Sequence, residues 1–256
     1  MAFPIELVEK YPSLRKMEEL GDDYEEASDL DPWNDGREAK LLAYIKQRSD
    51  FSQLQNNPAK ILEAMDTFAA EEDFLISIGS DKARIMQDLL AEESPSVVVE
   101  LGGYLGYSAI MFGDYLQNQR NVKRPRAHVW SLEFEPDFAA IMREIIAIAG
   151  LSDIVTFVTG PANESLRELK SSGEVEKVDF LFMDHVEDLY EQDLKVCEEL
   201  GLLKSGACIV ADNVVRPGAP AYRTYVRSHA GLRSSGVKGL IVPGDFEDEI
   251  EVSKVL

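Results

Sequence analysis

Two carboxylates and a side-chain amide follow two apolar runs in the second half of the chain. Asp184 follows the run 178–183, and Asp212 and Asn213 follow the run 207–210. If these runs are neighbouring parallel strands, their ends meet at one rim of a sheet. Hard oxygen ligands of this kind suit Mg²⁺, which leaves positions open for substrate oxygens. The pattern therefore predicts a magnesium site, although each aspartate taken alone is also typical of a helix cap.

A glycine-rich turn follows an earlier apolar run. It begins with Glu100 and Gly102 and continues through Gly106. Glycine lets the backbone approach a ligand closely, but the spacing is not G-x-G-x-x-G, which disfavours a nicotinamide dinucleotide site. A carboxylate before the first glycine would repel a pyrophosphate and suits a ligand with a cationic end. A plain tight turn is the alternative interpretation.

Glu133 and Phe134 follow a third run, at 129–132. A carboxylate at a strand end can accept two hydrogen bonds from a ribose diol. An aromatic ring beside it is suited to cover an adenine face. The alternative is an ordinary surface glutamate.

Short apolar runs alternate with amphipathic stretches from residue 96 onward. The predicted strands include 97–99, 129–132, 154–158, 178–183 and 207–210, and the predicted helices lie near 107–117, 137–149, 163–170, 187–200 and 219–229. Such β-α units indicate an α/β fold with a parallel sheet and helices on both faces. The alternation at Ile250, Val252 and Val255, after the turn 243–245, predicts a C-terminal β-hairpin at the sheet edge.

The chain is predicted to form one domain after an N-terminal extension. Residues 1–36 carry an acidic stretch and a turn sequence, so they are predicted to be weakly structured. Residues 37–256 are predicted to be the single domain, with N-terminal helices over 37–93 and the sheet core over 96–256.

Composition restricts the class of partner. The 256 residues carry a net charge of -21, with 45% hydrophobic and 29% charged residues, and the mean hydropathy is -0.18. So negative a chain repels nucleic acid, and the short basic segment 123–126 is interpreted as a solvated loop. Two cysteines without metal-type spacing and no run of membrane length favour a cytoplasmic protein that contacts no membrane. We also expect a monomer or a weak dimer.

Several separated motifs resemble the catechol O-methyltransferase family. They lie at 62–67, 78–82, 100–108, 184–185 and 211–220. The likeness runs from about residue 57 to 229 and leaves out the first ~40 residues. It implies a Rossmann-like class I methyltransferase fold with a mainly parallel seven-stranded sheet. It also implies an enzyme that uses S-adenosylmethionine and Mg²⁺ to methylate a small aromatic diol, a catechol or related ortho-diphenol.

The resemblance assigns roles to individual residues. The methionine part of S-adenosylmethionine would be lined by Glu100, Gly102, Tyr104 and Ser108, with Ile78 closing over it, and Asp184 would also belong to the cofactor site. The ribose would be held by Glu133, and the adenine surrounded by Phe134, Ala162, Asn163 and His185. The metal ligands would be Asp184, Asp212 and Asn213. The acceptor walls would be Phe74, Val186 and Pro217, with Asn213 beside them.

Two of these walls depart from the family pattern. Its mammalian members have tryptophan where Phe74 and Val186 stand, so we expect a wider pocket. The family's late glutamate, which grips the second hydroxyl, falls near Lys238 and Gly239.

The family's catalytic lysine is replaced by Glu187, which with His185 is a candidate catalytic side chain. Glu187 could be a general base, could pair with Lys238 or Arg216, or could be an exposed glutamate at a helix start. An S-adenosylmethionine-binding protein with weak or different activity is therefore the main alternative. A nicotinamide oxidoreductase and a nucleic-acid methyltransferase are disfavoured by the glycine pattern and by the charge.

Overall fold

A computed structural model of the chain describes residues 3–20, 34–120 and 127–256. The helices are α1 (Ile5–Lys10), α2 (Leu14–Leu20), α3 (Arg37–Gln47), α4 (Phe51–Leu54), α5 (Pro58–Glu71), α6 (Gly79–Glu93), α7 (Tyr107–Arg120), α8 (Pro136–Ala149), α9 (Ala162–Ser171), α10 (Tyr190–Glu199) and α11 (Pro220–Ser228). The strands are β1 (Val97–Leu101), β2 (His128–Glu133), β3 (Val155–Thr159), β4 (Val178–Met183), β5 (Leu203–Ala211), β6 (Leu232–Ile241) and β7 (Phe246–Val255).

These strands form one seven-stranded sheet in the order β3-β2-β1-β4-β5-β7-β6. Strands β1 to β5 are parallel, and β7 runs antiparallel between β5 and β6. The predicted α/β fold with a C-terminal hairpin is therefore confirmed. The hairpin is longer than predicted, because the polar stretch from Leu232 onward also pairs with β7, through Val255.

Side chains alternate across the sheet, as the strand geometry requires. Val98 of β1 packs in a core with helices α3 to α8, and Val99 packs in a second core with α9 to α11. The apolar runs of the parallel strands are therefore covered on both faces. Within the described ranges, every helix is too short or too polar to span a bilayer.

The first twenty residues differ from the expectation of weak structure. Helices α1 and α2 form there, and Tyr11 and Leu14 are buried against Phe74. Ser13 fixes the connection between the two helices, since its Oγ donates to the Ala69 carbonyl at 2.6 Å. The apolar residues of this segment are too few and too interrupted by proline to show a helical period, and their packing partners lie elsewhere in the chain. The rest of the predicted extension, residues 21–33, and the basic segment 123–126 lie outside the described residues.

Candidate active site

Four carboxylates gather at the rim formed by the carboxyl ends of the parallel strands. Glu100 and Glu133 belong to β1 and β2, and Asp184 and Asp212 directly follow β4 and β5. The pairs Leu101–Met183 and Met183–Ala211 are in register, which places the two aspartates side by side along the rim. Ligands of open α/β sheets bind at this rim.

The glycine-rich turn is built around the close approach of β1 and β4. Gly102 has a φ of 91°, and a Cβ atom there would lie 2.3 Å from the Asp184 carbonyl oxygen. The Gly102 N–H donates to the Leu132 carbonyl at 2.8 Å. Only glycine fits both the conformation and the space.

Glu133 organises this turn with its carboxylate. Oε2 accepts from the N–H groups of Tyr104 at 2.6 Å and Gly103 at 3.1 Å, and Oε1 accepts from the N–H of Glu135 at 2.8 Å. Burial raises the pKa of Glu133, and these backbone donors oppose the rise. An ionised carboxylate offers about four acceptor positions, so about one is left for a ligand hydroxyl. The predicted ribose contact stays a prediction.

Glu100 is fully buried on the face of the sheet that carries α8. Its Oε2 accepts a hydrogen bond from Ser131 Oγ, whereas its Oε1 is buried without a hydrogen-bond partner. Burial raises the pKa of Glu100 to about 7. Ser108 is buried in the first turn of α7, and Ile78 is buried just before α6. This end of the rim therefore offers a carboxylate oxygen that a cationic ligand group can satisfy.

Tyr104 is held from a helix that the motifs did not implicate. Its hydroxyl donates to Glu38 Oε1 at 2.9 Å, and its ring meets Phe138 edge-on at a centroid distance of 5.1 Å. Glu38 lies buried on α3. A signal existed in the sequence, because Glu38 falls on the apolar stripe that Leu41 and Ile45 define.

The predicted adenine side contains an exposed aromatic ring. Phe134 is 64% exposed, which leaves its ring open to a ligand. His185 Nε2 lies 2.8 Å from Asp193 Oδ2, and its Nδ1 is buried without a partner. Ala162 and Asn163 are half-buried at the start of α9. The rim thus offers a hydrophobic ring and an unsatisfied nitrogen, features that suit a purine.

Asp184 is the least satisfied carboxylate of the rim. It is half-buried, and no hydrogen bond joins its carboxylate to another described residue. Burial, and then the charge of Asp212, raise the pKa of Asp184 well above its ordinary value. Within 3–20, 34–120 and 127–256, no three His, Cys, Asp or Glu side chains are placed to hold a metal ion. The predicted metal set therefore depends on the amide of Asn213.

Lys82 is the cation of this end of the rim, and sequence reasoning missed it. Its Nζ lies 2.5 Å from both Asp212 Oδ1 and Asp248 Oδ2, and all three side chains are almost completely buried. Burial by itself lowers the pKa of Lys82, but the two carboxylates outweigh it and the pKa is raised. A Cβ atom at Gly239 would lie 2.9 Å from Lys82 Cγ. Gly239 thus leaves room for the lysine where the family's late glutamate was expected.

Asp248 also holds the turn that follows β5. Its Oδ1 accepts from the N–H groups of Val215 at 3.1 Å and Arg216 at 2.8 Å. Its Oδ2 accepts from Asn213 Nδ2 at 3.2 Å, and that amide nitrogen also donates to the Arg216 carbonyl at 2.9 Å. These bonds direct the Asn213 nitrogen into the turn and leave its amide oxygen available as a ligand.

Glu187 is half-buried in the short 3₁₀ turn Glu187–Leu189. Its carboxylate forms no ion pair with any residue that the structure describes. Both anticipated partners are exposed, and Arg216 stacks over the Phe246 ring at 5.6 Å. Burial, and the charges of Asp212 and Asp188, raise the pKa of Glu187. The pairing with Lys238 or Arg216 is therefore not formed.

The predicted acceptor walls differ in exposure. Phe74 is only 8% exposed, whereas Val186 is 61% exposed. Pro217 is exposed and follows a cis peptide bond, next to the turn that carries Asn213. The wall formed by Phe74 is therefore covered by protein, and the walls formed by Val186 and Pro217 are open.

Comparisons with known proteins agree with this arrangement. The sequence pattern of the O-methyltransferase family matches residues 54–225. The catechol O-methyltransferase of Bos taurus is 34% identical over 220 residues, which cover 86% of this chain and 74% of that protein. Catechol O-methyltransferase B of Danio rerio is also 34% identical over 220 residues, which cover 86% and 79%.

A solved structure shows the same fold. The O-methyltransferase of Bacillus cereus, in complex with SAH, is 20% identical and superposes with a TM-score of 0.63 over 92% of this chain and 96% of that one. The match to the family pattern covers most of the chain, including the strand ends that carry Glu100, Glu133, Asp184 and Asp212. The chain belongs to the catechol O-methyltransferase family and is an S-adenosylmethionine-dependent O-methyltransferase.

Proposed function

We propose that the enzyme transfers the methyl group of S-adenosylmethionine to one hydroxyl of a catechol or related ortho-diphenol, with Mg²⁺ at the acceptor oxygens. The observation that carries this proposal is the charge at the ends of β4 and β5. Among the described residues, Lys82 supplies the one ammonium group that opposes Asp184, Asp212 and Asp248 there. Relatives named catechol O-methyltransferase support the choice of acceptor.

The side chains at this end fit a divalent cation. An ionised carboxylate that is removed from water without a partner is costly, and none of the described residues donates a hydrogen bond to the Asp184 carboxylate to offset that cost. Asp212 uses Oδ1 for Lys82 and for the Asn213 N–H, which leaves Oδ2. Asp184, Asp212 and the Asn213 amide oxygen would thus hold Mg²⁺, as hard oxygen ligands do.

The acceptor must lose a proton as it is methylated. A phenol has a pKa of about 10, and a bound Mg²⁺ would lower the pKa of a coordinated hydroxyl. Glu187, half-buried and unpaired with any cation of the described residues, is the proposed base for that proton. The new O–C bond then forms as the S–C bond of the sulfonium breaks and its electron pair returns to sulfur. Fixing the two reactants in near-attack geometry can lower the activation barrier by about 7–11 kcal/mol.

The other end of the rim would bind the methyl donor. The unpartnered Oε1 of Glu100 suits the ammonium group of the methionine part. The remaining acceptor position of Glu133 suits a ribose hydroxyl. The exposed ring of Phe134 and the unpartnered Nδ1 of His185 suit the adenine.

A second candidate function is an S-adenosylmethionine-binding protein of this fold with weak or different activity. The observation that favours it is Glu187, which brings a negative charge where the family has a positive one. A unit charge at ~4 Å is worth about 4 kcal/mol at an effective dielectric of about 20, so the exchange strongly changes the stability of a phenolate.

A turnover assay separates the two functions. The protein is incubated with S-adenosylmethionine and catechol or phenol, in Mg²⁺ or in EDTA, and methylated product is measured by mass spectrometry. We expect product from catechol in Mg²⁺ only. Asp184→Asn should lower turnover at least about a hundredfold, whereas Asp188→Asn, which removes the same charge from an exposed neighbour, should not. Full activity in EDTA would contradict the proposed requirement for Mg²⁺. Cofactor binding without any methylated product would support the second candidate, a binding protein with weak or different activity.

A further inference from the structure

The N-terminal helices lie outside the region that matches the family, yet they contact the predicted acceptor side. The Tyr11 hydroxyl donates to Asp245 Oδ1 at 2.6 Å, and Lys10 Nζ lies 2.5 Å from Asp245 Oδ2. Asp245 belongs to the turn between β6 and β7. These two bonds attach the end of α1 to that turn.

A second set of bonds attaches the same segment to the end of α5. The Ser13 N–H donates to the Ala70 carbonyl at 3.0 Å, and Ser13 Oγ donates to the Ala69 carbonyl at 2.6 Å. Lys16 Nζ lies 2.9 Å from a carboxylate oxygen of Asp73. The segment is therefore held on both sides of the residue that follows Asp73 in the chain, Phe74.

Between these attachments, Tyr11 and Leu14 cover Phe74. Their exposures are 7% and 0%, and Phe74 itself is 8% exposed, with Val242 packed against the cluster. Arg37 Nη1 donates to the Phe74 carbonyl at 2.9 Å and holds its backbone. The wall formed by Phe74 thus cannot move outward without breaking the contacts of Tyr11.

The contacts continue toward another acceptor wall. The ring of Phe3 lies 5.9 Å from the ring of Phe246, and the guanidinium of Arg216 lies 5.6 Å from the same ring. Arg216 directly precedes Pro217. In contrast, Val186 and Val215 are 61% and 46% exposed.

We propose that residues 3–16 determine acceptor specificity: through Tyr11 they close the Phe74 side of the acceptor pocket. Substituents on the acceptor ring must then extend toward the open side of the pocket, past Val186. This inference rests on the proposed function, because it assumes that the acceptor lies between Phe74, Val186 and Pro217.

Variants of Tyr11 test the inference. Tyr11→Phe removes the hydroxyl and its hydrogen bond to Asp245 but keeps the ring over Phe74, whereas Tyr11→Ala also opens the cover over Phe74. Tyr225→Phe is the matched control, because the Tyr225 hydroxyl donates to Glu198 Oε2 at the same distance of 2.6 Å, between α11 and α10. Each variant is assayed with catechol and with 4-tert-butylcatechol, and KM is determined for both acceptors and for S-adenosylmethionine.

We expect Tyr11→Phe to raise the KM for catechol by no more than roughly tenfold, because the acceptor must then re-order the freed segment and one hydrogen bond limits that cost. The KM for S-adenosylmethionine should stay unchanged. Tyr11→Ala should also raise kcat/KM for the bulky catechol relative to catechol, because the closed side opens. The Tyr225→Phe control should leave the KM for catechol and the preference between the two acceptors as in wild type.

Two results would overturn the inference. If wild type methylates catechol but Tyr11→Phe and Tyr11→Ala keep its acceptor KM and its preference, the N-terminal segment has no part in specificity and the proposed function stands. If Tyr11→Ala does not fold, Tyr11→Phe and Asp245→Asn decide on the same criterion. If wild type methylates no ortho-diphenol, the proposed function and this inference fail together.

Discussion

The two ends of the rim satisfy their carboxylates in different ways. At the ends of β1 and β2, Glu133 accepts three backbone N–H groups and Glu100 accepts a serine hydroxyl. At the ends of β4 and β5, Asp212 depends on the ammonium group of Lys82, and Asp184 has no donor among the described residues. Neutral donors of the chain itself organise the first end, so it is largely formed before any ligand binds. The second end is stabilised by cations, so its stability should respond to them.

The largest expected effect is the loss of stability that follows the removal of Lys82, the cation of the second end. Lys82→Met should lower the free energy of unfolding by about 3–5 kcal/mol, because Asp212 and Asp248 lose their shared partner in a buried site. Denaturant unfolding without divalent ions measures the loss, and added Mg²⁺ should recover part of it.

The control for Lys82 is an exposed ion pair. Lys195→Met breaks the pair with Glu191 on α10 and should cost less than about 1 kcal/mol. Equal losses in the two variants would show that Lys82 does not neutralise this end.

The next effect tests Glu100 at the first end, whose Oε1 is buried without a hydrogen-bond partner among the described residues. The pKa of Glu100 is about 7 in the folded protein against an ordinary 4.5, so between these pH values the folded state binds the extra proton. Stability is therefore lost as the pH rises from about 4.5 to about 7, by about 3 kcal/mol at 1.36 kcal/mol per unit.

Denaturant unfolding of the cofactor-free protein at several pH values measures this dependence. Glu100→Gln cannot ionise and should show a loss smaller by about 3 kcal/mol over the same range. Parallel pH profiles for wild type and Glu100→Gln would contradict a neutral buried Glu100.

A smaller effect is expected at Glu133, whose carboxylate has about one free acceptor position. Glu133→Ala should weaken S-adenosylmethionine binding by about 1.5–3 kcal/mol, roughly ten- to a hundredfold. Isothermal titration measures the affinity. The control is Asp137→Ala, which removes an exposed carboxylate at the start of α8. Unchanged affinity would mean that Glu133 serves the turn alone.

The smallest expected effect concerns Glu187 at the second end, whose carboxylate pairs with no cation of the described residues. If it is the base, Glu187→Gln should lower kcat at least about tenfold, and the pH–rate profile should change in shape. Glu187→Lys, which restores the family's residue type, shows whether the charge itself matters. Wild-type profiles for both variants across about pH 6–9 would exclude Glu187 from the chemistry.

Much of this rim could be predicted from local pattern. Asp184 directly follows the apolar run 178–183, Asp212 and Asn213 come soon after the run 207–210, and the carboxyl ends of parallel strands share one rim. The helices α1 and α2 could not be predicted in this way, because the residues that bury Tyr11 and Leu14 come from the end of α5 and from the residues after β6.

From residue 96 onward, the sequence by itself determined the order of strands and helices along the chain and the residues at the strand ends of the rim, because hydrophobic periodicity and chain continuity are local properties. Only the tertiary structure decided which groups pair with the charged side chains of the rim. Lys82 pairs with Asp212 and Asp248 across separations of 130 and 166 residues. The carboxylate of Glu133 accepts hydrogen bonds from the turn that follows another strand, β1. Desolvation and pairing of charges arise only when distant segments pack together, so no local pattern encodes them.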